Sequence, residues 1–350
     1  MGSYPVNEST TFLFLMTFSI SYLMFFSTLL TGTFLSISST SWFGAWLGLE
    51  LNLLSFIPLI TTKLCPFLAE SAIKYFLIQA LASTILIIST SINMLFTDLS
   101  LVLILLSLII KLGAAPVHFW FPQVIEGLSW PQAFILLSIQ KIAPLTLISY
   151  LAFNPLLTSI IILVALLSSL TGALGGLNVT KLRKLIAFSS INHMSWILVA
   201  LSINDIIWLT YFAFYSFISG SVVILLYNTN SFTLSDILNQ SNKAILSNLL
   251  VPINLLSLGG LPPFLGFIPK WIIIQLFSSN FIIFVLLVLL FSRLITLYFY
   301  LRVFTPMVLL SFSSLSLTSK SPSTVAFSPA LILFSFTNLL GILCPIPFLL

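Results

Sequence analysis

Two stretches of the 350-residue chain, KLGAAPVHFWFP at 111–122 and LLSLGGLPPFLGFIPKW at 255–271, interrupt apolar sequence with glycine and proline. A lysine accompanies each break, Lys111 before the first and Lys270 after the second. Glycine and proline free backbone amides and carbonyls, which is costly in lipid unless the break lines a polar cavity. Two such breaks at matching places in two halves indicate an inverted-repeat transporter. The residues assigned to the breaks are Gly113, Pro116, Gly259, Gly260, Pro262 and Pro263.

The composition of the chain indicates a membrane protein before any motif is considered. Hydrophobic residues make up 59% of the chain and charged residues only 5%, against about 25% charged in an ordinary soluble domain. A soluble fold of this length could not bury so much apolar surface, so we expect an all-α polytopic membrane protein forming a single membrane domain over 1–350. Cys65 and Cys344 lie far apart and form no CxxC pair, which excludes a cysteine cluster site.

Apolar runs of about 20 residues, the length that crosses a bilayer, predict eleven transmembrane helices. The fourth and ninth runs contain the two breaks, and the ninth is too long for one straight span. The predicted spans are 11–36, 42–62, 72–96, 99–121, 130–151, 155–176, 185–202, 205–228, 246–277, 279–303 and 329–350.

The charges of the loops predict the orientation of these spans. With eleven spans, the loops on one side of the membrane carry the basic residues, whereas the other side has only Asp98 and Asp205. This bias follows the positive-inside rule, so the basic side faces the cytoplasm or its organellar equivalent, with the N-terminus there and the C-terminus opposite. The residues on the basic side are Lys63, Lys74, Lys181, Arg183, Lys184, Lys243, Arg302 and Lys320.

Four ionisable residues inside the predicted bilayer, Glu50, Lys111, Lys141 and Lys270, are the candidate site. A charge at the bilayer centre costs about 2.5–3.5 kcal/mol on insertion scales, which favours a functional role for all four. A buried lysine that gains and loses a carboxylate partner changes its proton affinity. The pattern therefore predicts proton transport. Two alternatives remain open: Glu50 and one lysine could form a static ion pair, and Lys270 could extend to the membrane surface.

Other polar residues in the spans have structural interpretations. Arg293 is mid-span and can pair with a backbone carbonyl. Glu70 and Lys74 are spaced i,i+4 at a helix start and are expected to form an ion pair at the membrane surface. His118 and His193 lie on separate segments and are more typical of core residues than of axial haem ligands.

Six motifs together resemble the subunit 2 family of NADH–ubiquinone oxidoreductase, the antiporter-like membrane subunits of animal mitochondrial respiratory complex I. The resemblance extends over about residues 40–305, and its motifs are long and ordered. They are WLGLELN at 46–52, ESAIKYFLIQ at 70–79, KLGAAPVHFWFP at 111–122, QKIAP at 140–144, GGLNVTKLRKLIAFSSINH at 175–193 and LLSLGGLPPFLGFIPKW at 255–271.

The resemblance implies a fold of two inverted five-helix repeats with flanking helices. Bacterial members of the family have fourteen helices, and animal members lack three at the N-terminus, which agrees with eleven spans. A first, N-terminally shortened repeat is then expected at about 42–151, a second at about 155–303, and a C-terminal helix at 329–350.

The resemblance also assigns roles to the four buried ionisable residues. It implies that Glu50, Lys111, Lys141 and Lys270 form a central hydrophilic axis. Glu50 would modulate the proton affinity of Lys111, Lys141 would relay protons, and Lys270 would exchange them towards the intermembrane space. Arg293 matches no family pattern, and no catalytic or metal-binding residue is implied.

The function implied by the resemblance is that of a core, proton-translocating membrane subunit of complex I in the mitochondrial inner membrane, with its N-terminus in the matrix and its C-terminus in the intermembrane space. The chain has no dinucleotide-binding or phosphate-binding glycine motif and no cysteine cluster. NADH oxidation and ubiquinone reduction are therefore expected in partner subunits, which would bind NADH, FMN, iron–sulfur clusters and ubiquinone. The assembly, not this chain alone, would be the NADH:ubiquinone reductase.

The expected partners are other membrane-arm subunits, including neighbouring antiporter-like subunits, and membrane lipids such as cardiolipin, but no nucleic acid. A stand-alone cation/proton antiporter is the alternative. Sodium sites favour clustered carboxylates, and Glu50 is the only acidic residue in the middle of a predicted span, which disfavours it. A purely structural membrane scaffold would not require several buried lysines.

Overall fold

The computed structural model describes residues 20–61, 65–93, 96–236, 245–262, 264–279, 283–313 and Asn338. These ranges form a helical bundle. Its helices are α1 (Ile20–Ser38), α2 (Trp42–Ile60), α3 (Pro66–Ile92), α4 (Thr97–Leu112), α5 (Trp120–Gly127), α6 (Trp130–Leu137), α7 (Ile139–Leu151), α8 (Pro155–Gly175), α9 (Leu182–Leu201), α10 (Asp205–Asn228), α11 (Ile245–Gly259), α12 (Ile268–Ser279) and α13 (Ile283–Ser313).

The helices match the predicted membrane spans closely. Within the described ranges, eight helices are long and apolar enough to cross a membrane, and two shorter apolar helices flank the second break. The first ten predicted spans each have a helical counterpart. The eleventh, 329–350, lies outside the described residues except for Asn338. The expected all-α membrane fold is confirmed, and the chain is a multi-pass membrane protein.

Polar residues in the short loops determine where several helices begin. The Asn154 side chain accepts a hydrogen bond from the Leu156 amide at 3.1 Å, and a proline follows at the first position of α8. Asn204 caps α10 in the same way, and Ser129 and Gln132 form a capping box at the start of α6. These caps satisfy amides that have no partner inside the helix. They hold the ends of successive spans close together.

The centre of the bundle is α9, whose residues are buried along nearly its whole length. By contrast, α1, α3 and α8 expose apolar side chains such as Phe34, Phe67 and Leu163. In a membrane protein this outer apolar surface faces lipid. Polar residues of α9, His193 among them, are therefore enclosed by protein on all sides.

The basic loops after α8 and α10 meet the end of α5 on one face of the bundle. Glu126 of α5 forms ion pairs with Lys181 and, at 2.6 Å, with Lys184. Lys181 also forms an isolated β-bridge with Thr233 in the loop after α10. The eleven-span topology places all three loops on the same side of the membrane, and their mutual contact agrees with it.

Arginines add further contacts on this face. Arg183 donates a hydrogen bond to the Leu128 carbonyl, and Arg302 at the far end of α13 donates to the Leu177 carbonyl at 2.8 Å. Glu70 and Lys74 form the expected i,i+4 ion pair at 2.6 Å.

The lysines on this face keep Glu126 ionised. Burial raises the pKa of Glu126, but Lys181 and Lys184 outweigh burial and hold that pKa below its usual value. Above its pKa, Glu126 therefore joins the loops as a carboxylate.

Candidate functional site

The first break begins at Gly113, which follows the last residue of α4. Gly113 has a φ of 69°, a left-handed conformation that glycine adopts without steric cost. The Gly113 amide donates to the Ile110 carbonyl and the Ala114 amide to the Ile109 carbonyl, which is the Schellman arrangement at a helix end. Pro116 follows in non-helical chain, and α5 starts only at Trp120. The chain is therefore non-helical over 113–119.

The second break begins at Gly260, which also has a φ of 69°. Its amide donates to the Ser257 carbonyl at 2.9 Å. Pro262 lies in the break, and Pro263 lies outside the described residues. One expectation needs correction: Gly259 is the last residue of α11 and not part of the break, because the left-handed residue that ends the helix is the next one, Gly260.

Each break has a lysine associated with the carboxyl-terminal end of its first helix. Lys111 occupies the last turn of α4. Lys270 belongs to α12 but reaches back, and its Nζ atom donates to the carbonyls of Leu258 at 3.0 Å and Gly259 at 3.4 Å. The carboxyl end of a helix carries partial negative charge and unpaired carbonyls, which favour a cation. Lys111 and Lys270 are only 8% and 4% exposed, so Lys270 does not extend to the membrane surface.

Glu50 lies on α2, half-buried, and its charge interacts with Lys111 and Tyr75. This interaction acts over a distance. Among the described residues the ion pairs within 4.0 Å involve Glu70 and Glu126, and Glu50 belongs to none of them. The static ion pair considered as an alternative is therefore not what this arrangement contains.

A polar cavity connects Lys111 with Lys141. The cavity measures about 20 Å³, room for about one water molecule. Both lysines line it, together with the polar side chains of Asn52, Tyr75, Gln79 and Gln140. A water molecule there would have several hydrogen-bonding partners, which such a site requires.

Hydrogen bonds tie the walls of this cavity together across four helices, α2, α3, α4 and α7. The Gln140 side-chain amide donates to Asn52 Oδ1 at 2.8 Å, and the Tyr75 hydroxyl donates to Gln140 Oε1 at 3.3 Å. Gln79 Nε2 donates to the Lys111 carbonyl at 3.4 Å. These polar residues were not predicted from the sequence to belong to the site. Each nevertheless lies inside one of the quoted motifs, and Asn52 and Gln140 lie within two residues of a predicted site residue.

Lys141 is 2% exposed on α7. Its ammonium lies 4.7 Å from the centre of the Phe121 ring and 5.6 Å from that of Tyr215. Its Nζ atom has no hydrogen-bond partner in the described part of the chain. Aromatic faces attract a cation but offer it no proton acceptor. Water in the cavity is therefore the group that could hydrate the Lys141 ammonium and exchange a proton with it.

His193, which the sequence analysis interpreted as a core residue, belongs to the same polar region. Its Nδ1 atom lies 3.1 Å from the Tyr211 hydroxyl. It is near enough to Lys270, Arg293 and Lys141 for their charges to act on it, so His193 lies near both halves of the candidate axis. The sequence does not show that α9 lies at the centre of the bundle, and for that reason His193 was not predicted to belong to the site. The His118 ring lies instead at the first break, with its Nδ1 atom 3.2 Å from the Pro116 carbonyl oxygen.

Arg293 on α13 pairs with a backbone carbonyl, as its isolation in sequence suggested. Its Nη2 atom donates to the Leu258 carbonyl, the same oxygen that Lys270 contacts. Among the described residues, no group of three or more histidine, cysteine, aspartate or glutamate side chains could hold a metal ion. The site is therefore a row of buried cations with one carboxylate near its first member.

Comparisons with known proteins agree with this arrangement. Residues 39–296 match the family model described as NADH:quinone oxidoreductase/Mrp antiporter, transmembrane. NADH-ubiquinone oxidoreductase chain 2 of Anopheles gambiae is 46% identical over 333 residues, covering 92% of this chain and 96% of that protein.

Two solved structures share the fold at lower identity. Respiratory complex I from Thermus thermophilus contains a chain with a TM-score of 0.78 at 23% identity, covering 94% of this chain and 80% of that one. The Mrp complex from Dietzia sp. DQ12-45-1b contains a chain with a TM-score of 0.65 at 17% identity, covering 86% and 61%. The family match and the identity to the mosquito protein decide the assignment: the chain belongs to the NADH:quinone oxidoreductase/Mrp antiporter family and, within it, to the NADH-ubiquinone oxidoreductase chain 2 proteins.

Proposed function

We propose that this chain, as a membrane subunit of NADH–ubiquinone oxidoreductase, translocates protons along Glu50, Lys111, Lys141, His193 and Lys270. The observation that carries the proposal is the cavity lined by both Lys111 and Lys141. A polar cavity that joins two buried lysines at the edge of a helix break serves proton exchange, whereas a scaffold would gain nothing from it.

The proposed path has two steps inside the bundle. In the first, a proton passes between Lys111 and Lys141 by way of water in the cavity. In the second, it passes from Lys141 to Lys270 by way of His193, which is buried on the central helix α9 and has a ring nitrogen that can accept a proton. Glu50 stabilises a proton on Lys111 by its opposite charge, and weakening that interaction sends the proton onward. The two repeats, at about 42–151 and about 155–303, would then each contribute one broken helix. Each repeat would also contribute one lysine near the point where that helix breaks.

The energy for this transport would come from partner subunits. NADH, FMN, iron–sulfur clusters and ubiquinone would be bound there, and other membrane-arm subunits, neighbouring antiporter-like subunits among them, would transmit the released energy. The assembly carries the NADH:ubiquinone reductase activity. Membrane lipids such as cardiolipin are the other expected partners.

A stand-alone cation/proton antiporter is less well supported. The likeness to the Mrp complex is at 17% identity and concerns the fold alone. The relative at 46% identity is an oxidoreductase subunit by name. A sodium site also requires several oxygen ligands, and Glu50 is the only carboxylate near the described lysine axis.

Gentle detergent extraction tests membership of the complex. The chain should co-purify with NADH-oxidising activity through a size-exclusion column, at a constant ratio across the peak. Recovery of the chain in a separate, smaller peak without that activity would instead support the independent antiporter.

The proposed location is the mitochondrial inner membrane, with the basic face in the matrix, the N-terminus on that side and the C-terminus in the intermembrane space. Lys181, on the basic face, is more than half exposed. An impermeant amine reagent should therefore modify Lys181 in inside-out submitochondrial particles and leave it unmodified in intact mitoplasts, as mapped by peptide mass spectrometry. Modification in mitoplasts alone would reverse the orientation.

A further inference from the structure

Two buried cations share one backbone oxygen at the second break. Lys270 Nζ lies 3.0 Å and Arg293 Nη2 lies 2.5 Å from the Leu258 carbonyl oxygen. The two nitrogens are therefore roughly 5.5 Å apart or closer. Lys270 is 4% exposed and Arg293 is 9% exposed, so solvent does little to screen one charge from the other.

No carboxylate balances this pair within the described part of the chain. The groups that interact electrostatically with Lys270 or Arg293 are His193 on α9, Tyr211 on α10 and Tyr300 on α13. A histidine and two tyrosines offer no fixed negative charge. The pair differs in this respect from Lys111, which has Glu50 as its counter-charge.

The ends of both cationic side chains lie against Gly260. A Cβ atom at Gly260 would collide with Lys270 Nζ and would lie 2.8 Å from Arg293 Nη2. The left-handed φ of 69° at Gly260 also disfavours any side chain there. The missing side chain at Gly260 therefore leaves the space that the ends of Lys270 and Arg293 occupy.

The chemistry of the two side chains decides which charge can change. A guanidinium stays protonated in proteins, whereas a buried lysine can lose its proton. Like charges at this range repel strongly in a buried setting. We propose that Arg293 is a positioning residue whose permanent charge drives proton release from Lys270. The proton leaves the Lys270 ammonium for water on the intermembrane-space side, and the free amine remains ready for the next proton.

This inference rests on the proposed function, since it assigns Lys270 to the release step. The central variant is Arg293→Gln, which keeps a hydrogen-bond donor for the Leu258 carbonyl and removes the charge. The matched control is Arg302→Gln, because Arg302 lies on the same helix and donates to the Leu177 carbonyl at the membrane surface. Proton transport is measured in liposomes containing the assembled complex, with NADH supplied outside and protons released into the lumen.

We expect Arg293→Gln to slow proton transport about tenfold, which corresponds to the loss of about 1.4 kcal/mol of repulsion between the two cations. Arg302→Gln should leave the rate of transport unchanged. An alkaline lumen should restore much of the lost rate, because a low proton activity on the release side replaces the missing repulsion. A purely structural role would give Arg293→Gln the same dependence on lumenal pH as Arg302→Gln. Normal transport by Arg293→Gln, or slow transport that gains no more from an alkaline lumen than Arg302→Gln does, would overturn the inference.

Two further variants keep the test decisive. If Arg293→Gln does not assemble, Arg293→Lys still donates to Leu258 but lacks a permanent charge, and we expect the same slow, lumen-sensitive transport. Transport at the unmodified rate by Arg293→Lys would then count against the inference. Lys270→Met separates the two proposals: normal transport without Lys270 contradicts the proposed function itself. Loss of transport in Lys270→Met beside normal transport in Arg293→Gln contradicts only the role of Arg293.

Discussion

Lys141→Met should reduce proton transport by the assembled complex on the order of 100-fold, the lower end of the contribution of a positioned proton-transfer group. Lys141 lies between the cavity and the His193 region, so every proton on the proposed path passes through it. Methionine is of similar length and packs well against aromatic rings, and Lys141 faces the rings of Phe121 and Tyr215. Because its Nζ atom has no hydrogen-bond partner in the described chain, the substitution leaves no described partner unpaired, and the complex should assemble.

The control for this substitution is Lys74→Met. Lys74 is also a helical lysine, but it is exposed and pairs with Glu70 at the membrane surface, an interaction typically contributing less than about 1 kcal/mol. Lys74→Met should transport protons at the unmodified rate. Both variants are compared by initial rates of lumenal acidification at equal amounts of assembled complex. Equal rates for Lys141→Met and Lys74→Met would remove Lys141 from the path.

Glu50→Gln should slow proton transport roughly tenfold, since losing about 1.4 kcal/mol of stabilisation changes a rate by that factor. Lys111→Met should slow transport more, because it removes the proton carrier and not only the charge that tunes it. The double variant should be no slower than Lys111→Met alone, since Glu50 acts through Lys111 and residues that act as a unit are not additive. The three variants are compared by transport rate and by yield of assembled complex on native gels.

A static ion pair predicts a different pattern for the same variants. Removing one member would leave a buried charge unpaired at a cost of about 3–5 kcal/mol. Each single variant would then assemble poorly, and the double variant would recover assembly. The absence of a close contact between Glu50 and the described lysines favours good assembly of all three variants.

The membrane spans could be predicted from sequence because lipid imposes a simple length rule. The predicted span 205–228 coincides with α10, whose start is set by the Asn204 cap. The third span was predicted to begin at 72, whereas α3 begins at Pro66. Glu70 and Lys74 were placed correctly at a helix start, and the proline at the first position of α3 takes that start back to residue 66.

The candidate site was only partly visible in the sequence. Buried lysines and a mid-span glutamate stand out because charge is expensive in a membrane. Neutral polar side chains such as Asn52, Tyr75 and Gln140 cost less free energy to place in a membrane than charged ones, so they do not stand out individually in the sequence. They come from α2, α3 and α7, and only the packing of these helices shows that they enclose one cavity. The significance of Arg293 likewise depends on the break bringing the Leu258 carbonyl to it.

Proton movement through the buried lysines of this chain is the step on which the proposed function depends. The most direct measurement records NADH oxidation and lumenal acidification together, in liposomes containing either the unmodified complex or well-assembled Lys111→Met. We expect the number of protons transported per NADH to fall in the variant, or both rates to fall together if the two reactions are strictly coupled. Unchanged proton transport per NADH at an unchanged rate of NADH oxidation would contradict the account.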